Sequence, residues 1–343
     1  MIVVAQPARA QNAAVAGAIA GFVKPAYAHF HAISAEQREG MEALCDDQSA
    51  ERLDAARNSF LTLVSAWSEV EIIRFGPVTQ DNRLERILFW PDRKSIGLKQ
   101  VQAALAGKDA SASDAATLKD KSVAMQGLGA LEFVLFGTGS DALNAPGDPY
   151  RCAYGRAIAR NIESMAGSIL AGWQEPDGIS RQWANPGPDN PLYRNEDEAL
   201  TELLDVFVHG LEMVRDVRLN GFLGQGENED KPKRAIFWRS DATVVSIDGN
   251  LKGLRALFDV SGIAERLPQD AEWLAQGIDF EFDNAERTLG LASGPIAETL
   301  EGGEKREALV VTRMITSHLS EMFGVQVSGR LGLTAGFSSL DGD

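Results

Sequence analysis

Helical periodicity is the feature that most constrains the fold of this 343-residue chain. Three segments, residues 50–74, 199–219 and 305–323, carry apolar side chains at steps of three and four residues, which places them on one face of an amphipathic helix. The stripes are Leu53, Ala56, Phe60, Val64, Trp67 and Val70, then Leu200, Leu203, Leu204, Phe207, Leu211 and Val214, then Val311, Met314, Ile315 and Met322. No segment shows the period-two alternation of strands. The sequence therefore predicts an all-α protein.

Loop composition divides these helices into two groups. Four prolines lie among glycine, asparagine and aspartate between Trp173 and Glu196, and this is the clearest break in the helical pattern. Helices that carry one apolar stripe each and are joined by short or medium loops pack most simply as antiparallel bundles. We expect two helical-bundle domains, residues 12–180 and residues 190–343.

Net charge excludes two classes of partner. The chain has 33 basic and 49 acidic residues, a net charge of -16, which phosphate backbones and anionic lipid surfaces repel. We therefore expect neither nucleic-acid binding nor peripheral membrane binding. No apolar run approaches the roughly 20 residues that a transmembrane helix needs. Metal cations are compatible with the acidic surface, although solubility alone also accounts for it.

The first residues resemble the end of an export signal. Ala8-Arg9-Ala10 has the small-x-small form of a signal-peptidase site and follows a short apolar stretch. The stretch lacks a basic start, so we interpret it as a truncated signal peptide ending near Ala10, which predicts a periplasmic or exported protein. The alternative is an ordinary frayed N-terminus.

Cysteine content bears on the same question. The two cysteines, Cys45 and Cys152, are too few for a thiolate zinc cluster. In an exported protein they can form a disulfide, and chain entropy predicts a stabilisation of about 4–5 kcal/mol for so long a loop. Two unpaired buried thiols are the alternative.

Short motifs occur in a recognisable order over nearly the whole chain. The first are Arg74-Phe-Gly-Pro77, Phe89-Trp-Pro-Asp92 and the segment from Gln126 to Phe136. The later ones are Arg151-Cys152, 157–161, Arg215-Asp216, Trp238-Arg-Ser240, 250–255 and 336–343. Taken together, they resemble the imelysin-like family, exported bacterial proteins associated with iron uptake.

The resemblance implies a functional cleft at the interface of two helical bundles that are packed side by side. In the family this cleft is built around a Gly-x-His-x-x-Glu motif, which maps onto Gly127 to Glu132, but Gly129 stands at the histidine position. The family was first described around a peptidase, with the histidine and glutamate suspected as metal ligands. The substitution puts both metal binding through the motif and proteolysis in doubt.

Glu132 is also a candidate on its own chemistry. It lies four residues after Leu128 and four before Phe136, on an apolar stripe, so we expect it to be buried. A buried carboxylate needs a cationic or hydrogen-bonding partner, or a raised pKa. The structural alternative is an ion pair with Arg74 or Arg239. Gly127 and Gly129 of the same predicted helix each lower its stability by about 1 kcal/mol relative to alanine. Close approach of a ligand or another helix would offset that cost.

Further candidates come from segments in both halves of the chain. Charged and aromatic residues gather where the chain leaves helices near Pro77 and Pro91, and loops of this kind often build sites. The candidates are Arg74, Asp81, Arg83, Trp90 and Asp92, with Arg239, Ser240 and Asp341 from the second half; the alternative for all of them is helix capping and surface ion pairing. His318 lies on the third apolar stripe, either as a satisfied core histidine or as a metal ligand together with Glu132.

These observations favour one function and leave two alternatives. Our leading hypothesis is a periplasmic, non-catalytic binding protein for iron or another divalent metal, or for a small ligand, working with other envelope iron-uptake proteins. The first alternative is a metal-dependent peptidase of the imelysin type, which needs an activated water, at least two good ligands and a general base. The second is a cell-surface assembly or partner-docking protein.

Overall fold

The computed structural model describes residues 12–333, and all regular structure within them is helical. Residues Ala8 to Ala10, predicted as the end of an export signal, and the candidate Asp341 lie outside the described residues. The α-helices are α1 (Ala13–Ala18), α2 (Lys24–Asp46), α3 (Ala50–Val70), α4 (Arg83–Ile87), α5 (Ile96–Gly107), α6 (Ala115–Leu118), α7 (Leu128–Phe136), α8 (Pro149–Gln174), α9 (Ile179–Ala184), α10 (Glu196–Glu212), α11 (Thr243–Ser261), α12 (Glu272–Leu291), α13 (Ile296–Thr299), α14 (Gly303–Glu321) and α15 (Ser328–Arg330). The π-helical segments are Ile19–Val23, Met213–Leu219 and Met322–Val327. None of the helices within residues 12–333 combines the length and apolar character that crossing a bilayer requires.

Local sequence explains where the two best-predicted helices begin. The Ser49 hydroxyl accepts a hydrogen bond from the Arg52 N–H at the start of α3, and the Asn195 side chain accepts from the Glu198 N–H at the start of α10. Every residue of both predicted stripes is buried. The prediction of an all-helical fold is confirmed.

The third stripe lies on a different face from the one predicted. Ile315 and Met322 are buried, but Val311 and Met314 are exposed. The buried face of α14 uses Thr312 and Thr316 instead, whose hydroxyls donate to carbonyls of their own helix at 2.8 and 2.9 Å. A threonine satisfied in this way can be buried at little cost, so an apolar pattern alone misses it.

The core is continuous between the two halves of the chain. In the first half α2 packs against α3 and α8, and in the second α14 packs against α10 and α12. Helix α3 also packs closely on α11, where a Cβ on Gly249 would lie 2.7 Å from the Ser68 side chain, so only glycine allows this approach. The division into domains at residues 180–190 stays a prediction.

A disulfide ties two helices of the first half together. Cys45, near the end of α2, is bonded to Cys152, near the start of α8, with 5.5 Å between their Cα atoms. The bond reinforces the α2–α8 contact.

Candidate functional site

Helix α7 starts at a glycine that the packing requires. Gly127 is the N-cap residue and not, as the sequence suggested, an interior helical residue. A Cβ there would collide with the carbonyl oxygens of Arg86 and Ile87, so the cap must be glycine. The nine residues that follow are almost entirely apolar and mostly buried, which embeds Glu132 in the interior.

The Glu132 carboxylate is held by a segment from the second half of the chain. Its Oε1 accepts three hydrogen bonds, from the Arg239 N–H at 3.0 Å, the Ser240 N–H at 3.1 Å and the Ser240 hydroxyl at 3.0 Å. The Arg239 guanidinium lies 3.9 Å from Oε2. Of the two ion-pair partners that the sequence offered, the structure therefore places Arg239 beside Glu132 and not Arg74.

Burial and these partners act on the carboxyl group in opposite directions. Burial raises the pKa of Glu132, while the Arg239 guanidinium and the three donors hold the increase back. Arg239 is kept in place by aromatic rings, since its guanidinium lies 4.4 Å from the Trp238 ring centre and 5.5 Å from that of Phe133.

A cavity of about 80 Å³ opens beside this carboxylate. Glu132 and Arg239 form its polar wall, and Phe89, Trp90 and Phe133 contribute aromatic walls. The cavity reaches the surface at Gly129, which is exposed and where an added Cβ would meet no atom within 4 Å. The position that the family fills with histidine is therefore open space in this protein.

Asp92 lies in the cavity wall but is already engaged. Its carboxylate accepts from the Ile96 N–H at 2.7 Å and the Leu98 N–H at 3.2 Å, and so caps the start of α5. Its role here is to position α5 against the cavity.

The structure brings most of the sequence candidates together. Six of them line the cavity, and Ser240 bonds Glu132 directly; the six are Gly127, Gly129, Glu132, Trp90, Asp92 and Arg239. Sequence reasoning missed the parts that Phe89, Phe133 and Trp238 play. Phe89 and Phe133 stand next to candidates in the quoted motifs, but the stacking of Arg239 between Trp238 and Phe133 has no signal in sequence spacing.

Four candidates lie elsewhere. Arg74 lines a neighbouring cavity of about 140 Å³, which shares Phe89 and Trp90 with the Glu132 cavity. Arg83 pairs with Asp81 at 2.9 Å on the surface. The backbone is left-handed at Asp81 and Asn82, so the chain turns within this pair. His318 does not line the Glu132 cavity; its Nδ1 lies 2.9 Å from Glu281 Oε1, and its side chain is about half exposed. The apolar stripe predicted to carry His318 is on the wrong face of α14, because the buried face includes Thr312 and Thr316.

The donor set around Glu132 does not fit a catalytic metal ion. Such a site commonly uses three protein ligands and keeps one position for water. Here Oε1 is engaged by three donors, a guanidinium lies 3.9 Å from Oε2, and glycine replaces the histidine. Within residues 12–333 no group of three or more His, Cys, Asp or Glu side chains is arranged to hold a metal. We therefore derive no catalytic step through a metal at this site.

Comparison with known proteins places this geometry in a family. Iron-regulated protein A of Synechococcus elongatus is 21% identical over 328 residues, which cover 92% of this chain and 85% of that protein. The crystal structure of an imelysin-like protein from Psychrobacter arcticum superposes with a TM-score of 0.81 at 18% identity, covering 98% of this chain and 100% of that one. A putative iron-regulated protein A precursor from Parabacteroides distasonis gives a TM-score of 0.70 at 13% identity, covering 94% and 97%. The sequence model described as imelysin matches residues 23–317, and this chain belongs to the imelysin family.

Proposed function

We propose that this protein is a non-catalytic binding component of bacterial iron uptake, located in the periplasm, and that the Glu132 cavity receives its cargo. The family and the names of its relatives motivate the link to iron. The Cys45–Cys152 disulfide fits an oxidising compartment such as the periplasm. Other envelope iron-uptake proteins are the partners that this role requires.

The observation that carries the proposal is the open cavity beside a buried carboxylate. Glu132 is 4% exposed and lines a cavity that opens at Gly129, and its Oε2 accepts no hydrogen bond from residues 12–333. The buried Glu71 also lines a cavity, but the Arg218 guanidinium pairs with its carboxylate at 2.7 Å. A buried acid in the wall of an open cavity, with its nearest guanidinium 3.9 Å away, is equipped to contact a ligand.

The same geometry favours iron that arrives already coordinated. A bare cation would find one carboxylate oxygen, but the Arg239 guanidinium lies 3.9 Å from that oxygen and would repel the cation. A small iron complex brings its own ligands, and its anionic part can contact Arg239 while a donor group contacts Glu132. The aromatic walls suit the organic part of such a complex.

Blocking the cavity tests this proposal without touching the carboxylate. Gly129→Leu places a side chain in the open space, and because leucine is the better helix former it should raise stability slightly, by up to ~1 kcal/mol. We expect equilibrium dialysis with ferric nitrilotriacetate and with ferric citrate to show binding by the wild type and a loss of at least about tenfold in Gly129→Leu, or ~1.4 kcal/mol.

The matched control is Gly290→Leu. Gly290 is also helical, and an added Cβ there also meets no atom within 4 Å, but it lies on α12 and not on the cavity. Equal binding by the two leucine variants, or no binding of either complex by the wild type, would contradict the proposal.

A further inference from the structure

A groove on the first half of the chain is basic although the protein as a whole is strongly acidic. Four of its lining residues are cationic, Arg83, Arg86, Lys119 and Arg160, and one is acidic, Asp81, against a net charge of -16 for the chain. The groove has a volume of about 420 Å³ and is open to solvent. Four positive charges gathered in one groove repel one another, so a partner or ligand that stabilises them is expected.

Two of these cations lack a direct counter-charge. Arg83 pairs with Asp81 at 2.9 Å, and Arg160 pairs with Glu42 at 2.8 Å. By contrast, no carboxylate of residues 12–333 lies within 4.0 Å of the cationic groups of Arg86 or Lys119. Asp81 and Asp120 act on Arg86 only at longer range.

Arg86 is held in place by neutral partners. Its Nε donates to the Gln126 side-chain oxygen at 2.8 Å and its Nη2 to the Asn161 side-chain oxygen at 3.2 Å. Gln126 and Asn161 are buried, and the Gln126 amide nitrogen donates to the Lys119 and Lys121 carbonyls, which directs its oxygen towards Arg86. A half-buried guanidinium is thus fixed at the groove by amides that leave its charge uncompensated.

The remaining lining groups suit the same ligand chemistry. Ser164 and Ser168 bring hydroxyl groups to the groove, and Met165 brings an apolar wall. Guanidinium and ammonium groups together with hydroxyls are the donor set that proteins use for phosphate and carboxylate groups. The groove has the cations for more than one such group.

We propose that this groove binds a small, multiply charged oxyanion that carries phosphate or carboxylate groups. Arg86 is the fixed contact, Lys119 is an exposed charge at the rim, and Arg83 and Arg160 turn from Asp81 and Glu42 towards the bound anion. The site is distinct from the Glu132 cavity, with which it shares no lining residue.

Calorimetric titration at low ionic strength, with pyrophosphate and citrate as separate probes, tests the proposal. We expect the wild type to bind at least one of them, and the one that binds identifies the chemical group. Lys119 is exposed, so Lys119→Gln leaves the fold intact and should weaken binding about fivefold, from the loss of one nearby charge. Arg86→Gln should weaken it more than about tenfold, and added salt should weaken binding by every form of the protein.

Arg287→Gln is the matched control. Arg287 is exposed on α12, its guanidinium donates to the Asp283 carbonyl of its own helix, and its loss changes the net charge by the same amount. The affinity of Arg287→Gln for the probe should equal that of the wild type. Equal affinities of Lys119→Gln and Arg287→Gln, or no binding of either probe by the wild type, would overturn the proposal, and neither result depends on the stability of Arg86→Gln.

Discussion

Two buried glutamates of this protein have different surroundings, and the difference is why we propose a site at one of them and a structural role for the other. Glu71 lies at the end of α3, where its Oε1 accepts from Arg218 at 2.7 Å and from the Asn250 amide at 2.8 Å. Glu132 accepts mostly backbone donors, and its nearest guanidinium is 3.9 Å away. Arg218 is fully buried with Glu71, whereas the Arg239 side chain is 21% exposed. Both glutamates are buried and both line cavities, so the proposal of a site at Glu132 rests on the distance to the counter-charge.

The largest expected effect comes from breaking the ion pair between Glu71 and Arg218. Glu71→Gln leaves Arg218 as a buried charge without a counter-charge, and removal of one partner from such a pair costs roughly 3–5 kcal/mol. Glu132→Gln should cost about 1 kcal/mol or less, because the amide oxygen still accepts the three hydrogen bonds and Arg239 reaches solvent. Urea unfolding of both variants and the wild type measures the difference. Equal destabilisation by the two substitutions would remove the distinction between the acids.

The second prediction restores the family motif beside Glu132. Gly129→His puts an imidazole one turn before the carboxylate on an open surface, so a packing cost of the usual ~1–3 kcal/mol is not expected. Affinity for a divalent transition metal should rise by about tenfold or more, because a histidine and a carboxylate together suit iron or zinc better than a carboxylate alone. The gain should weaken below about pH 6 as the imidazole protonates, given its ordinary pKa of ~6.5.

Metal affinity and melting temperature measured on the same Gly129→His sample separate the outcomes. A stable variant with no gain in affinity would mean that Arg239 keeps cations away even when a second ligand is present. A destabilised variant would show that position 129 is a packing contact and not part of an open cavity.

How much of the structure the sequence predicts depends on the kind of interaction. Apolar periodicity sufficed for α3 and α10, where a single face meets the core, and it failed for α14, where threonines bonded to their own backbone are part of the buried face. The position of Glu132 on its stripe predicted its burial. The contact with the Arg239-Ser240 backbone was beyond sequence reasoning, because it depends on how a turn more than 100 residues away approaches α7.

The smallest predicted effect is a pH dependence that belongs to Glu132. Burial raises the folded-state pKa of Glu132 above the ordinary value of about 4.5. Between pH 4.5 and the folded-state pKa, the native protein therefore binds more protons than the unfolded chain. The stability of the wild type should therefore fall relative to Glu132→Gln as the pH rises from 4.5 through the folded pKa, and the gap should stay constant at higher pH. Thermal melting of both proteins over this range checks the sign; a gap that moves in the other direction would mean that Arg239 and the three donors outweigh desolvation.

The most direct test of the central claim is to locate the iron. Crystals of the wild-type protein grown with the ferric complex that it binds in dialysis should show an anomalous iron signal in the cavity bounded by Glu132, Arg239 and Gly129, and crystals of Gly129→Leu prepared in the same way should lack it. An iron signal at another place on the protein, or one at the Glu132 cavity that persists unchanged in Gly129→Leu, would contradict the assignment of this cavity as the cargo site.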